Sequence, residues 1–160
     1  MDIKNTSVTD LDEILKIYEY AREKMRQTGN PNQWKDSSPL KEDIIFDINN
    51  LDHYIIIEDN KIVGIFTLLK NPDPTYSYIE GKWLNEEKYV TIHKIASAPN
   101  AHDILRKSVD YAFRFSNNVR NDTHEDNKIM RHLLDKLGFS YCGIIYLKNG
   151  EPRRAYQKHK

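Results

Sequence analysis

The chain is short of most features that would classify it early. It has one cysteine, Cys142, which excludes an internal disulfide and any metal site built from several cysteines. It has no net charge, because 24 basic residues balance 24 acidic ones. That balance argues against a general electrostatic drive towards nucleic acid, and no basic motif stands out, so no nucleic-acid partner is expected. No apolar run approaches the roughly 20 residues that span a bilayer, so no membrane partner is expected either. The opening MDIKNTSVTD has no basic region followed by an apolar one. No signal peptide is therefore expected, and a reducing cytoplasmic setting is the default. His93, His102, His124 and His132 lack the spacing and the cysteine or carboxylate company of a metal site, so no metal is expected.

What is present fits one domain. With 160 residues, 39% of them apolar, the chain can bury a proper core. There are no repeats, linkers or low-complexity tracts, so residues 1–160 read as a single α/β domain. A short strand is expected around Ile3. Thr9 then reads as the cap of a helix reaching about Thr28, with Leu11, Ile14, Leu15, Tyr18, Ala21 and Met25 on its buried face. GNPNQWKDSSP, residues 29–39, is a loop with one large aromatic, Trp34. Ser38 and Pro39 read as the start of a second helix that turns Ile44, Ile45 and Ile48 inward.

A hairpin follows, Tyr54 to Glu58 and Lys61 to Lys70, turning at Asp59-Asn60. The return strand is almost continuously apolar, which places it inside the sheet. Residues 71–88 are a long excursion carrying Tyr76, Tyr78, Ile79, Trp83 and Leu84. An excursion of that length either shapes a site or folds its aromatics back onto the core. Tyr89 to Ser97 is the next strand. A helix from about Ala101 to Asn117 leads to a short strand, Val119 to Asp122.

The stretch Asp122 to Phe139, DTHEDNKIMRHLLDKLGF, has the clearest local grammar. Ile129, Met130, Leu133, Leu134 and Leu137 recur at helical spacing. Asp126 or Asn127 can cap the start, and Gly138 can end the helix in a left-handed conformation. Its polar first half lies where a strand hands over to a helix, the junction at which open α/β sheets bind ligands. Two closing strands, Phe139 to Leu147 and Pro152 to Lys158, complete the chain.

This order, together with DTHEDNKIMRHLLDKLGFSYCGIIYL and its Leu137-Gly138-Phe139 turn, resembles the GNAT superfamily of acyl-CoA-dependent N-acetyltransferases. GNPNQW, IHKIAS and the ending GEPRRAYQK resemble one bacterial branch of it. The resemblance covers essentially the whole chain. It implies a single GNAT-like domain, with a mixed sheet of about six to seven strands flanked by about four helices. It implies acetyl transfer from acetyl-CoA straight to a primary amine of an unidentified small molecule, peptide or protein. It also leaves the closing hairpin available for a homodimer, since members of the family often pair through their late strands.

The resemblance assigns residues as well. The strand His93 to Ser97 would present Ile95, Ala96 and Ser97 to the pantetheine arm. The turn after it, Asn100, Ala101, His102 and Asp103, would hold the pyrophosphate at the N-terminus of the helix beginning near Ile104. Asn127 would cap its helix, bond the pantetheine, or do both. Trp34 would either contact the acceptor or simply pack. His93, His124 and Tyr141 are the candidates for acid–base work, each with a structural alternative.

Two features depart from the family's pattern. Ala98 to Leu105 holds no glycine, Pro99 has no N–H to donate, and Asp103 brings a carboxylate towards the phosphates. Asn100 and Asp103 are also spaced as a self-capping pair. The tyrosine that many members carry seven residues after the helix-start asparagine is Leu134 here. Two readings therefore stand side by side: an N-acetyltransferase, or a non-catalytic GNAT-fold binding or regulatory protein with weak or lost CoA binding.

Overall fold

Two neighbouring strands that start side by side and then part set the shape of the molecule. In the computed structural model, which describes residues 1–35 and 38–160, they are β5 (Val90–Ser97) and β6 (Asn118–Thr123). They run parallel and pair only at Val90 with Val119 and Thr91 with Arg120. Asp36 and Ser37, in the loop expected over residues 29–39, lie outside the described residues.

The other elements flank this pair. On one side lie β1 (Asp2–Asn5), β2 (His53–Glu58) and β3 (Lys61–Leu69). On the other lie β4 (Glu80–Gly81), β7 (Ser140–Tyr146) and β8 (Pro152–His159). The strand order is β1-β2-β3-β5-β6-β8-β7-β4, and every neighbouring pair except β5–β6 is antiparallel. The α/β fold expected from the sequence is therefore borne out, with one correction. The sheet has eight strands among the described residues rather than six or seven. The extra one is β4, two residues inside the long excursion. It pairs with β7 because Gly81 and Gly143 face each other. A Cβ on Gly81 would lie 2.1 Å from the Cys142 carbonyl oxygen, closer than any side chain tolerates.

Alternation along the strands divides the core between the two faces of the sheet. Tyr54, Ile56, Phe66, Leu68 and Ile92 meet α3 (Ile104–Ala112) and α4 (Lys128–Lys136). Ile55, Ile65 and Ala96 meet α1 (Leu11–Gln27) and α2 (Lys41–Asn49). Leu134 of α4 is fully buried, which contributes about 2–3 kcal/mol. A third cluster, Tyr76, Trp83, Cys142, Ile145 and Ala155, sits beneath the excursion. The Arg120 guanidinium is sandwiched there, 4.0 Å from the Trp83 ring and 3.9 Å from that of Tyr89. Tyr76 and Trp83 thus fold back onto the core, whereas Tyr78 stays exposed.

Helix boundaries differ from expectation for local reasons. Ser7, not Thr9, caps the first helical segment, in a reciprocal box with Asp10. Residues 8–10 form a short 3-10 turn, and α1 starts at Leu11. The buried face of α1 includes Ile17, and α2 buries Asp47 beside Ile44 and Ile48. Helix α2 begins at Lys41 rather than at Pro39, and α3 at Ile104 rather than Ala101. Asn127 caps α4 by accepting from Met130 N at 3.1 Å. No helix among the described residues is long and apolar enough to cross a membrane.

Candidate active site

Beyond Thr91 the two parallel strands diverge, and a cleft of about 530 Å³ opens between them. Its walls include Ile92 to Ile95 of β5, Asn121 to Thr123 of β6, and Asn127 and Met130 at the start of α4. The α1–α2 loop adds Gln33 and Trp34. The excursion adds Asp73 and Thr75, the β7–β8 turn adds Leu147 and Lys148, and β8 adds Arg153.

A bulge in β5 shapes one wall. Lys94 and Ile95 together stand opposite Phe66 of β3, between the pairs Ile65–Ala96 and Thr67–His93. Lys94 adopts φ +50°, which few non-glycine residues take without support. The support comes from both helices on that face. Lys94 Nζ donates to Asp47 Oδ2 at 2.8 Å, and Thr67 Oγ1 donates to the same oxygen at 2.8 Å. Tyr18 OH donates to the Lys94 carbonyl at 2.8 Å and therefore accepts from His53 Nε2, 2.9 Å away. Thr6 Oγ1 lies 2.7 Å from His53 Nδ1 and donates to it. His53 is completely buried, and that burial pushes its pKa down to about 4, so it is neutral at pH 7.

His93 precedes the bulge and faces the cleft. Its Nε2 is 2.7 Å from Asp73 Oδ2, and its Nδ1 is 3.7 Å from Asp122 Oδ1. Burial acts to raise the Asp73 carboxyl. The hydrogen bond and charge of His93, with donors from Thr75, outweigh it and hold the pKa at about 2. An ionised carboxylate can only accept, so Asp73 places a proton on His93 Nε2. In the neutral ring this leaves the Nδ1 lone pair as the basic site. Asp122 Oδ1 in turn accepts from Tyr76 OH at 2.5 Å.

At the point where the strands part, Asn121 Nδ2 donates to the Ile92 carbonyl at 2.8 Å. Asn121 Oδ1 is buried and has no partner among the described residues. A buried acceptor left unmatched calls for a donor from a ligand or water. An amide-bearing chain lying between β5 and β6 would supply one. The turn after β5 ends at the α3 N-terminus, where the Asp103 side chain makes no capping hydrogen bond, so Asn100 and Asp103 do not form a self-capping pair among the described residues. Both instead take the left-handed conformation, φ +65° and +60°, where Asn and Asp are the most tolerant residues after glycine. The turn thus reaches a glycine-type path without glycine. Gly64 of β3 lets Ile104 settle against the sheet, since a Cβ there would meet Ile104 Cγ2 at 2.7 Å.

The overall fold recurs in solved structures. A GNAT-family acetyltransferase from Streptococcus agalactiae superimposes with a TM-score of 0.85 and is 33% identical, over 99% of this chain and 95% of that one. The chain belongs to the GNAT family of acetyltransferases. A GNAT-family acetyltransferase from Listeria monocytogenes has a TM-score of 0.73 at 19% identity, over 99% of this chain and 94% of that one. A Salmonella typhimurium protein solved with its cofactor acetyl-CoA has a TM-score of 0.63 at 15% identity, over 99% and 93%. No family model and no curated protein matches the chain.

Within this GNAT fold, the residues singled out from sequence fall into two groups. His93, Ile95, Asn127 and Trp34 line the cleft. Trp34 also packs edge-on against Tyr18, 5.6 Å between ring centroids. Ala96 turns its side chain into the α1–α2 core, Ser97 ends β5 opposite Gly64, and Ile104 is buried. Ala101 and His102 belong to the turn before α3. His124 and Tyr141 lie outside the cleft lining. The ring of His124 accepts from Asp126 N at 3.0 Å within its own turn. Tyr141 is exposed on β7, with the Arg154 guanidinium 4.1 Å over its ring. Leu134, seven residues after Asn127, is core.

Sequence reading did not single out Asp73, Gln33, Asn121, Asp122 or Arg153. Asp122 lies at the end of the strand expected over Val119 to Asp122, one residue before β6 ends at the sheet's switch point, a signal that was available. Asp73 stands between two prolines and caps a short turn through Thr75, and nothing local foretells its partner twenty residues on. Gln33 Oε1 accepts from Asn30, Thr123 and Asn127 at 3.0, 3.2 and 2.9 Å. One oxygen thereby ties the α1–α2 loop to β6 and α4.

Proposed function

We propose that this GNAT protein transfers the acetyl group of acetyl-CoA directly to a primary amine of a small molecule or peptide. The reading rests above all on the notch between β5 and β6, with a carboxylate-oriented histidine in its wall. Bound acetyl-CoA supplies a thioester, whose carbonyl carbon takes the amine nitrogen and whose sulfur leaves as the CoA thiol.

The chain's own residues do the rest. The free edge of β5 and Asn121 Oδ1 hold the pantetheine arm, with Asn127 beside them. The open N-terminus of α3 faces the pyrophosphate, where free N–H groups and the helix dipole favour an anion. His93 Nδ1 takes the proton that the nitrogen sheds as the C–N bond forms, and Asp73 stabilises the ring while it is charged. That proton passes to the departing sulfur, so the charges balance.

A non-catalytic reading draws on the Ala98–Asp103 turn, where Pro99 lacks an N–H and Asp103 carries a negative charge. One experiment separates the two. Thermal unfolding is followed with and without millimolar acetyl-CoA, and thiol release is measured with an amine panel. A rise in unfolding midpoint together with amine-dependent thiol release supports transfer. A rise without release favours a binding module, and no rise overturns both the transfer reading and CoA binding.

A further inference from the structure

The closing hairpin brings an additional charge into the cleft. Arg153 follows Pro152 at the start of β8, and its side chain is only 5% exposed. A guanidinium offers five N–H groups in a rigid fork suited to a carboxylate. Among the described residues, its hydrogen bonds go to backbone carbonyls alone. Nη1 donates to Pro152 O at 2.8 Å and Nη2 to Gln33 O at 3.4 Å. The Glu151 carboxylate stands 3.9 Å from Nη1, beyond hydrogen-bonding distance. Burial lowers the Arg153 pKa, and Asp122 and Glu151 offset only part of that effect.

Of the cleft's carboxylates, Asp43 is exposed to solvent, and Asp73 and Asp122 are hydrogen-bonded. Asp73 accepts from His93 at 2.7 Å and from Thr75 N and Oγ1 at 2.8 and 2.7 Å. Asp122 accepts from Tyr76. Arg153 is thus a buried cation whose hydrogen bonds reach no carboxylate among the described residues, at the β8 end, where Lys148 adds positive charge. Trp34, Met25 and Leu147 supply apolar surface in the same cleft.

Building on the acetyl-transfer reading, we infer that the acceptor amine carries a carboxylate, which Arg153 binds while the amine faces His93. The ligand class is the free amino acid with an apolar side chain. Polyamines, uncharged amines and protein N-termini, whose first residue has no free carboxylate, fall outside it.

The test compares matched pairs differing only in that group: L-leucine with L-leucinamide, L-methionine with L-methioninamide, and L-phenylalanine with L-phenylalaninamide. Thiol release from acetyl-CoA gives kcat/KM for each. The acids are expected to exceed their amides by at least about tenfold, mostly through KM, because an amide leaves the guanidinium without its anion. Arg153→Gln should bring that ratio close to one, and Arg153→Lys should keep part of it, since the charge survives without the fork. Amides turned over as well as acids, or an acid preference that survives Arg153→Gln, overturn the proposal.

Calorimetric titration of the same pairs, with and without CoA, needs no turnover. Arg153-dependent binding of the acids supports the site even if acetyl transfer fails. Absence of acid binding in a protein that binds CoA overturns this inference and leaves acetyl transfer standing. Absence of both overturns both. The wild-type acid-to-amide ratio decides the matter should a variant fold poorly.

Discussion

Asp73 Oδ2 lies 2.7 Å from His93 Nε2, across the gap between the long excursion and β5. The pair fixes which ring nitrogen can act as a base, and this is open to a direct check. Asp73→Asn puts an amide in place of the carboxylate. The amide can either accept from Nε2 or donate to it, so the tautomer is no longer fixed, and the charged ring loses its counter-ion. We expect kcat to fall by about 10²-fold, with the KM for acetyl-CoA little altered. Steady-state kinetics on both substrates provide the measurement, and a variant with wild-type kcat removes the Asp73 carboxylate from the reaction.

Acid should weaken the fold in two stages. His53 has a folded pKa of about 4 against an ordinary 6.5. Between those values the unfolded chain binds more protons, so stability is full above about pH 6.5 and falls towards pH 4. The loss reaches about 3 kcal/mol. Asp73, at about 2 against an ordinary 3.8, loses its contribution over the next two pH units down. Urea unfolding between pH 7 and pH 4 should show the first stage, and His53→Gln should flatten it. A wild-type profile that is level across that range contradicts the buried neutral histidine.

At the α3 N-terminus, charge and backbone conformation can be separated. Asp103→Asn keeps a residue that tolerates the left-handed conformation and removes the charge, while Asp103→Gly does both jobs at once. Each should tighten CoA binding about two- to fivefold at low salt, and added salt should narrow the gain. Titration calorimetry gives the answer. Weaker binding in both variants would mean that the carboxylate helps rather than opposes the phosphates.

The β4–β7 contact depends on two glycines at φ +136° and +141°. Gly81→Ala should cost about 2–3 kcal/mol through strain and overpacking against the Cys142 carbonyl. Denaturant unfolding checks this, and a loss below half a kilocalorie would show that the excursion moves aside freely.

Much of the architecture was legible because it follows from spacing close along the chain. The α4 stripe, the Asn127 cap and the Gly138 stop all lie within a dozen residues. The Asp59-Asn60 turn announces its hairpin, and both residues take the positive φ that such a turn requires. The cleft was legible only in outline. His93 and Trp34 could be placed from their elements, yet their partners come from distant segments: Asp73 from the excursion and Gln33 from a loop bonded to residues about ninety positions away. Tertiary pairing of polar groups leaves no periodic trace. Helix starts slipped for a related reason. Ser7 and Thr9 are both competent cap types, and Ser7 is the one that closes a reciprocal box with Asp10.

Cys142 carries one further consequence. The residue is 7% exposed and burial pushes its thiol pKa up, so it stays protonated and shielded from solution near neutral pH. A reaction whose by-product is a free thiol would therefore run beside a protein with almost no sulfur nucleophile of its own on display. The product should not accumulate as a mixed disulfide on the protein during oxidation. Ellman-type titration of the native protein should count close to zero groups, so that in the assays above the colour reports the liberated coenzyme alone.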